Sequence, residues 1–155
     1  MAFTTSGVFT ALIRDALNNT ASHSPDLDGD SLKVALYGNS GTPDKTVANT
    51  LTGYNQATSQ WVTANEVTAT GWTAGGLALA SVTSTFSSST YTLDAADKAG
   101  GATDTVTNCY GVLIYDDTLA TKDGLSFNYL GGANSVTSGT FTVVFNASGI
   151  FTIAV

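Results

Sequence analysis

Three aspartates fall at alternate positions in PDLDGDSLKVALY (25–37): Asp26, Asp28 and Asp30, with Gly29 inside the run. Carboxylates spaced in this way form the first half of an EF-hand loop. That loop continues with a glycine at its sixth position and a bidentate glutamate at its twelfth. Counted from Asp26, these positions hold Ser31 and Tyr37, and LKVALY alternates as a strand instead of opening a helix. A sensor EF-hand is excluded. Two readings remain for the carboxylates: a calcium site of another kind, or a turn whose side chains cap local backbone amides.

Other residues capable of chemistry are few. His23, the single histidine, lies in the polar stretch TASHSPD. A nucleophilic triad needs an imidazole held by a buried carboxylate beside the nucleophile, and neighbouring serines in a loop do not supply that geometry. Glu66 is the only glutamate, and no spacing places a second acid across a cleft from it. Asp116 and Asp117 end an apolar run, where adjacent acids cap turns, and successive strand residues point to opposite faces. NSGTPDKT (39–46) has the outline of a phosphate loop, but Asn39 and Asp44 stand where both glycines are required. Cys109, the only cysteine, sits in the apolar NCYGVLIY and reads as a buried small residue; no internal disulfide is possible. Trp61 and Trp72 would serve as a sugar-stacking platform if exposed and as core residues if not. No catalytic constellation and no cofactor motif is found.

Composition narrows the function further. Of the 155 residues 11% are charged and 43% are hydrophobic, with a formal net charge of −7. Charged residues make up roughly a quarter of an average soluble chain. Ser, Thr, Asn and Gly take their place, giving a polar but weakly charged surface on a chain apolar enough to fold. Arg14, Lys33, Lys45, Lys98 and Lys122 are scattered, so no basic stripe exists to displace counterions from nucleic acid or to seek an anionic membrane. The N-terminal stretch lacks the basic region, long apolar core and cleavage site of a secretory signal. No run approaches the ~20 apolar residues of a membrane span. The expectation is a protein made in a cytoplasm.

The elements that must position these residues are mostly strands. VFTALIRDAL (8–17) has a helical period, with Thr5 or Ser6 as N-cap and Asn18-Asn19 as a stop, and predicts one short amphipathic helix. From residue 31 onward, alternating β-branched and aromatic segments separated by Gly-rich turns predict seven or eight strands. Gly75-Gly76 marks a turn, a bulge or a close backbone approach. A short strand is expected at Tyr91–Leu93 within a polar stretch. GTFTVVFNASGIFTIAV reads as a C-terminal hairpin turning at Asn146–Gly149, with Phe141, Val143 and Phe145 on one strand and Phe151, Ile153 and Val155 on the other. The fold class is mainly β: one β-sandwich domain, jelly-roll-like, over 25–155, preceded by an arm and short helix over 1–24.

Five features follow one another along the chain: DALNNTA closing the helix, LKVALYGNSGTPD, GYNQATSQWVTANEVTATGWTAGG, YGVLIYDDT, and the closing SGTFTVVFNASGIFTIAV. In this order the chain resembles the small head decoration, or cement, proteins and related minor structural proteins of tailed bacteriophages. The resemblance covers most of the chain apart from the Ser/Thr/Ala-rich 82–107. It implies a non-catalytic scaffold that binds the outside of an assembled capsid and ties neighbouring capsomers together. The major capsid protein would be its partner, and its location the virion exterior after synthesis in a bacterial cytoplasm. Such proteins are often symmetric oligomers, and a trimer suits local three-fold positions. In that setting Phe3, Phe9 and Leu12 either contact a partner or cover an open end of the sandwich. Two further readings share the composition: a tail or fibre-tip protein touching a receptor, and a carbohydrate-binding module presenting Trp61 and Trp72.

Overall fold

The most apolar run of the sequence, YGVLIYDD, lies in the middle of a sheet that is buried on both faces. The computed structural model describes residues 2–19 and 22–154. A five-stranded antiparallel sheet contains β1 (Gly7–Val8), β2 (Leu32–Tyr37), β3 (Leu77–Ala78), β7 (Asp104–Asp116) and β8 (Gly124–Gly139), in the order β1-β8-β7-β2-β3. A second sheet has the order β10-β5-β4, from β4 (Thr83–Ser87), β5 (Thr90–Asp94) and β10 (Phe151–Ala154). A two-stranded piece joins β6 (Lys98–Ala99) to β9 (Thr142–Val143), and α1 (Thr10–Asn18) is the one α-helix among the described residues. The chain is a β-sandwich with one short helix.

Side-chain alternation divides the central strands between two cores. Leu32, Val34 and Leu36 of β2, Val112 and Ile114 of β7 and Leu125 of β8 face the smaller sheet. There they meet Leu93, Phe141, Val143, Ile150, Phe151 and Trp72. The intervening Ala35, Tyr37, Leu113 and Tyr115 face the other way, onto Phe3, Phe9, Tyr54 and Trp61, and Phe127 joins them because a bulge at Leu125 resets the alternation in β8. This second layer is not a sheet. It is built from the N-terminal arm and the 41–62 loop, and Trp61 is its centre: the indole lies 4.9 Å from the Tyr37 ring, 5.8 Å from Phe127, 6.0 Å from Phe3 and 6.2 Å from Phe9. The Tyr37 hydroxyl donates to the Trp61 carbonyl at 2.9 Å, so the loop is tied by backbone as well as by packing.

Several elements differ from the sequence reading. The helix starts at Thr10, and Phe9 occupies the N-cap without a side-chain cap bond. Val8 has become part of β1, and the Ser6 hydroxyl accepts the Tyr129 N–H at 2.8 Å, which extends the sheet edge instead of capping the helix. Asn19 does end the helix, in the left-handed conformation (φ 48°). The C-terminal hairpin does not form as a ladder. Its turn is present, with the Gly149 N–H donating to the Asn146 carbonyl at 2.7 Å, but the two strands separate. β9 pairs with β6, and β10 pairs with β5, the short strand expected at Tyr91–Leu93. Phe145 N–H goes to Asp97 and Ile150 N–H to the Leu93 carbonyl. Residues 91–100 thus take both strands, because pairing with them buries Leu93 under Phe151. Val155 lies outside the described residues.

Glycine permits two close approaches here. Gly76 (φ 67°) lies against the Val34 carbonyl, where a Cβ would overlap the β2 backbone. Gly111 in β7 lies directly beneath the Phe3 ring. Gly111→Ala is expected to push Phe3 out of its site and cost about 1–3 kcal/mol by overpacking. Urea unfolding measures the loss, and limited proteolysis should show earlier cleavage within residues 2–9. Unchanged stability and protection would mean that the arm does not depend on this seat.

Candidate functional site

Phe3, Phe9 and Leu12, expected either to meet a partner or to cover an open end of the sandwich, are all buried within the chain itself. Phe3 and Phe9 belong to the Trp61 layer and Leu12 to the core facing the smaller sheet, so they bridge the two cores at the β1 edge. The arm covers the sandwich with Phe3 and Phe9, which have no free surface to present, while Leu12, 9% exposed, lines an apolar groove beside the helix. The same helix exposes two other residues, Ile13 at 39% and Leu17 at 82%. Trp61 and Trp72 are 2% and 1% exposed, so neither offers a platform for a sugar ring. The Trp72 indole N–H donates to the Phe141 carbonyl at 3.0 Å, which explains its tolerance of burial.

Ile13 and Leu17 form one wall of an open groove of about 350 Å³. Its other walls are Pro25 and Leu27 from the turn before β2, and Tyr91, Phe151 and Ile153 from the smaller sheet. The register explains why this face is apolar. Phe86, Tyr91 and Ile153 lie directly opposite one another across β4, β5 and β10, and Ser84, Leu93 and Phe151 form the next row. The inner row is covered by the body of the protein. The outer row extends past it, leaving Phe86 69% exposed on the edge strand β4.

The chemically capable residues are engaged in holding loops. His23 Nδ1 lies 2.6 Å from Asp123 Oδ2, a pairing across 100 positions that joins the 22–25 segment to the β7–β8 turn. Among the described residues Asp123 is the imidazole's one hydrogen-bond partner, and no hydroxyl stands against it as a nucleophile. Burial raises the Asp123 acid above its ordinary value, opposed by the imidazole. Glu66 accepts from the Tyr54 hydroxyl at 2.7 Å and from the Gly75 N–H at 2.9 Å, and burial raises its acid as well. Tyr54 stacks on Tyr115 at 4.9 Å, and the Tyr115 hydroxyl donates to the Gly75 carbonyl at 2.7 Å. The positive-φ Gly75-Gly76 turn is thus gripped from both sides. In the phosphate-loop lookalike, Asp44 accepts from the Thr46 N–H at 2.8 Å and from its hydroxyl at 2.7 Å, a local turn in place of an anion cradle. Cys109 is fully buried, and burial pushes its thiol up to about 12.

The three aspartates of the opening stretch do not converge. Asp26 and Asp28 are exposed, and among the described residues no group of three or more His, Cys, Asp or Glu is placed to hold a metal. Asp30 turns back to accept the Asp26 N–H at 2.7 Å, the capping role expected of a turn. Its carboxyl also meets that of Asp116, across the antiparallel pairing that sets Leu32 opposite Asp116. Asp116 Oδ1 caps the following turn, accepting from the Thr118 and Leu119 amides at 2.8 and 3.3 Å. Asp117 turns away to Lys33 and Lys122, at 2.8 and 2.9 Å. The partnership of Asp30 with Asp116 had no signal in the sequence, since only strand register brings the two together.

Comparison with protein-family models, curated proteins and solved structures finds no match for this chain. None of the helices among the described residues is long and apolar enough to cross a membrane.

Burial, and then the facing Asp30 carboxyl, push the Asp116 acid up to about 6. A carboxyl whose folded pKa lies above its unfolded value of about 3.9 binds its proton more tightly when folded. Its contribution to stability is therefore complete below about pH 4 and is lost as pH rises through about 6. Asp116→Asn retains the acceptor for the Thr118 and Leu119 amides and can donate to Asp30. In divalent-free buffer it is expected to gain on the parent chain, by up to roughly 3 kcal/mol, as pH rises from about 4 to about 7. Urea unfolding across that range measures the difference. A difference that stays flat with pH would show that Asp116 ionises in the fold as it does in the unfolded chain.

Proposed function

We propose that this chain is a structural virion protein that binds the outer surface of an assembled phage capsid and reinforces contacts between capsomers. The observation that carries the reading is the apolar groove between α1 and the smaller sheet, walled by Leu17 and continued along the edge strand by exposed Phe86, which pairs with the lining residue Tyr91. An apolar groove open to solvent on a weakly charged protein offers a surface that an apolar partner can bury. The order of sequence features that resembles head decoration proteins supports the same role.

The mechanism follows from apolar burial. Each Å² of apolar surface removed from water contributes roughly 25 cal/mol, before the cost of association. A groove of this kind gains most from a partner surface that is fixed in place. Neighbouring capsomers present such a surface once the shell has assembled. A protein that binds the shell and not its separated parts stabilises the shell by mass action. Self-association as a symmetric oligomer, with a trimer suited to three-fold positions, would multiply the contact without any new chemistry.

Co-sedimentation with mature and immature shells tests the reading. The parent chain is expected to pellet with mature, expanded shells, and Leu17→Asp combined with Phe86→Asp to lower that binding at least about tenfold. Each charge placed in the contact costs more than the ~1.4 kcal/mol that a factor of ten represents. Both side chains are exposed, so the unfolding midpoint of the double variant should change little. Binding of the parent to neither kind of shell would overturn the proposal, and equal binding by the double variant would remove the groove from it.

A further inference from the structure

At the end of β7 a buried charge lacks a partner. Asp116 is 0% exposed, and although its Oδ1 is satisfied by two amides, its Oδ2 has no hydrogen-bond donor among the described residues. Register brings a second carboxylate, that of Asp30, to its side: Leu32 lies opposite Asp116 and the Asp117 N–H donates to the Ser31 carbonyl at 2.9 Å. A buried carboxylate oxygen with neither donor nor cation is among the costliest arrangements a fold can hold. The nearest fixed cations do not relieve it, because the Lys33 and Lys122 ammoniums both close on Asp117. Asp26 and Asp28, on the turn that carries Asp30, add further negative charge and stand open to solvent. Asp30 itself is half-buried, which gives the corner a route inward from water.

We propose that this corner, between the 26–30 turn and the end of β7, binds a hard divalent cation of the calcium class, with the carboxylates of Asp30 and Asp116 as its protein side-chain ligands. All the donors are oxygens, which suits calcium and magnesium and disfavours softer metals. Calcium is the better match of the two. It accepts irregular shells completed by carbonyls and water, whereas magnesium demands near-ideal octahedral geometry and dehydrates reluctantly. With only two carboxylates the site belongs to the weak class, with dissociation constants of roughly 10⁻⁴–10⁻³ M. The neighbouring backbone bonds hold the two halves in register: the Ser31 N–H donates to the Thr118 hydroxyl at 2.8 Å, and the Asp117 N–H to the Ser31 carbonyl at 2.9 Å. A bound cation would therefore clamp the turn before β2 onto the turn after β7. Asp26 and Leu27 of the clamped turn also line the apolar groove, yet the cation site stands independently of any partner in that groove.

The test is thermal unfolding of the whole chain in chelator-treated neutral buffer, with calcium or magnesium chloride then added to about 10 mM at matched ionic strength. Calcium is expected to raise the Tm of the parent chain by roughly 3–10 °C, and magnesium by less than half as much. Asp116→Asn and Asp30→Asn should each lose most of the calcium response, while Asp28→Asn should keep it. If Asp116→Asn fails to fold, Asp30→Asn decides the question alone, since its side chain is half-buried and sits on a turn. No calcium response in the parent would overturn the proposal and leave the pair sharing a proton. An undiminished response in Asp30→Asn would overturn it too, as would an equal response to magnesium.

Discussion

The structure depends on the middle of its central sheet, β2 with residues 111–116 of β7 and the start of β8, which has no wet face. β2, β7 and β8 carry apolar side chains in both directions, so each face needs a cover. An antiparallel sheet more often leaves one side to water. Here the smaller sheet covers one face, and irregular chain covers the other. The irregular cover is the more demanding solution, because loops carry backbone polar groups that a strand ladder would satisfy. It works through side-chain and backbone ties at a few points: the Tyr37 hydroxyl on the Trp61 carbonyl, Glu66 on Tyr54 and Gly75, and Tyr115 on Gly75. Four aromatic residues around Trp61 and Phe3, namely Phe9, Tyr37, Phe127 and Tyr129, supply apolar area. Aromatic pairs of this sort are worth about 0.5–1.5 kcal/mol each beyond simple burial.

The same constraint explains why the chain's acids and its histidine are occupied. A loop layer must be pinned, and a sequence poor in charge has few groups with which to do it. Asp104, fully buried, accepts the Gly71 and Gly101 amides at 2.6 and 2.7 Å and so fixes two loops at once. His23 with Asp123 fixes the link after the helix, and Asp15 joins Arg14 to Asn49. Two features are left over from this economy. One is the outer row of the smaller sheet, which reaches beyond the body that should cover it. The other is the Asp30–Asp116 corner, where two like charges meet. Both lie along the 25–31 turn, where the arm gives way to the first central strand.

Much of the fold was legible because it follows from local patterns. The alternation in LKVALY, the apolar YGVLIYDD strand, the helical period ending at Asn18-Asn19 and the turn with close backbone approach at Gly75-Gly76 all appear in the structure where the residues suggest. Cys109 is a core residue, as its apolar surroundings imply, and Trp61 and Trp72, readable as platform or core, are core residues too. The expectations that changed were about partners. GTFTVVFNASGIFTIAV has the right strands and the right turn, but each strand lies beside a distant segment. The helix loses its expected cap because Ser6 serves the sheet edge instead. Phe3 and Phe9, readable as an exposed anchor or an inward cover, turn inward because Gly111 leaves room for a ring and Trp61 waits beside it.

By itself the sequence determined the class of protein this is: mainly β, weakly charged, with one helix, and with side chains assigned to one sheet face or the other. Those properties depend on neighbours within a few residues, where periodicity and turn chemistry act. Only the tertiary structure decided which strands pair, and with pairing came everything a site requires. The meeting of Asp30 with Asp116, of His23 with Asp123 and of Tyr91 with Ile153 is decided between separated segments. Register is set by which arrangement buries the most apolar surface while leaving the fewest backbone groups unpaired, a sum over the whole chain that no short stretch contains.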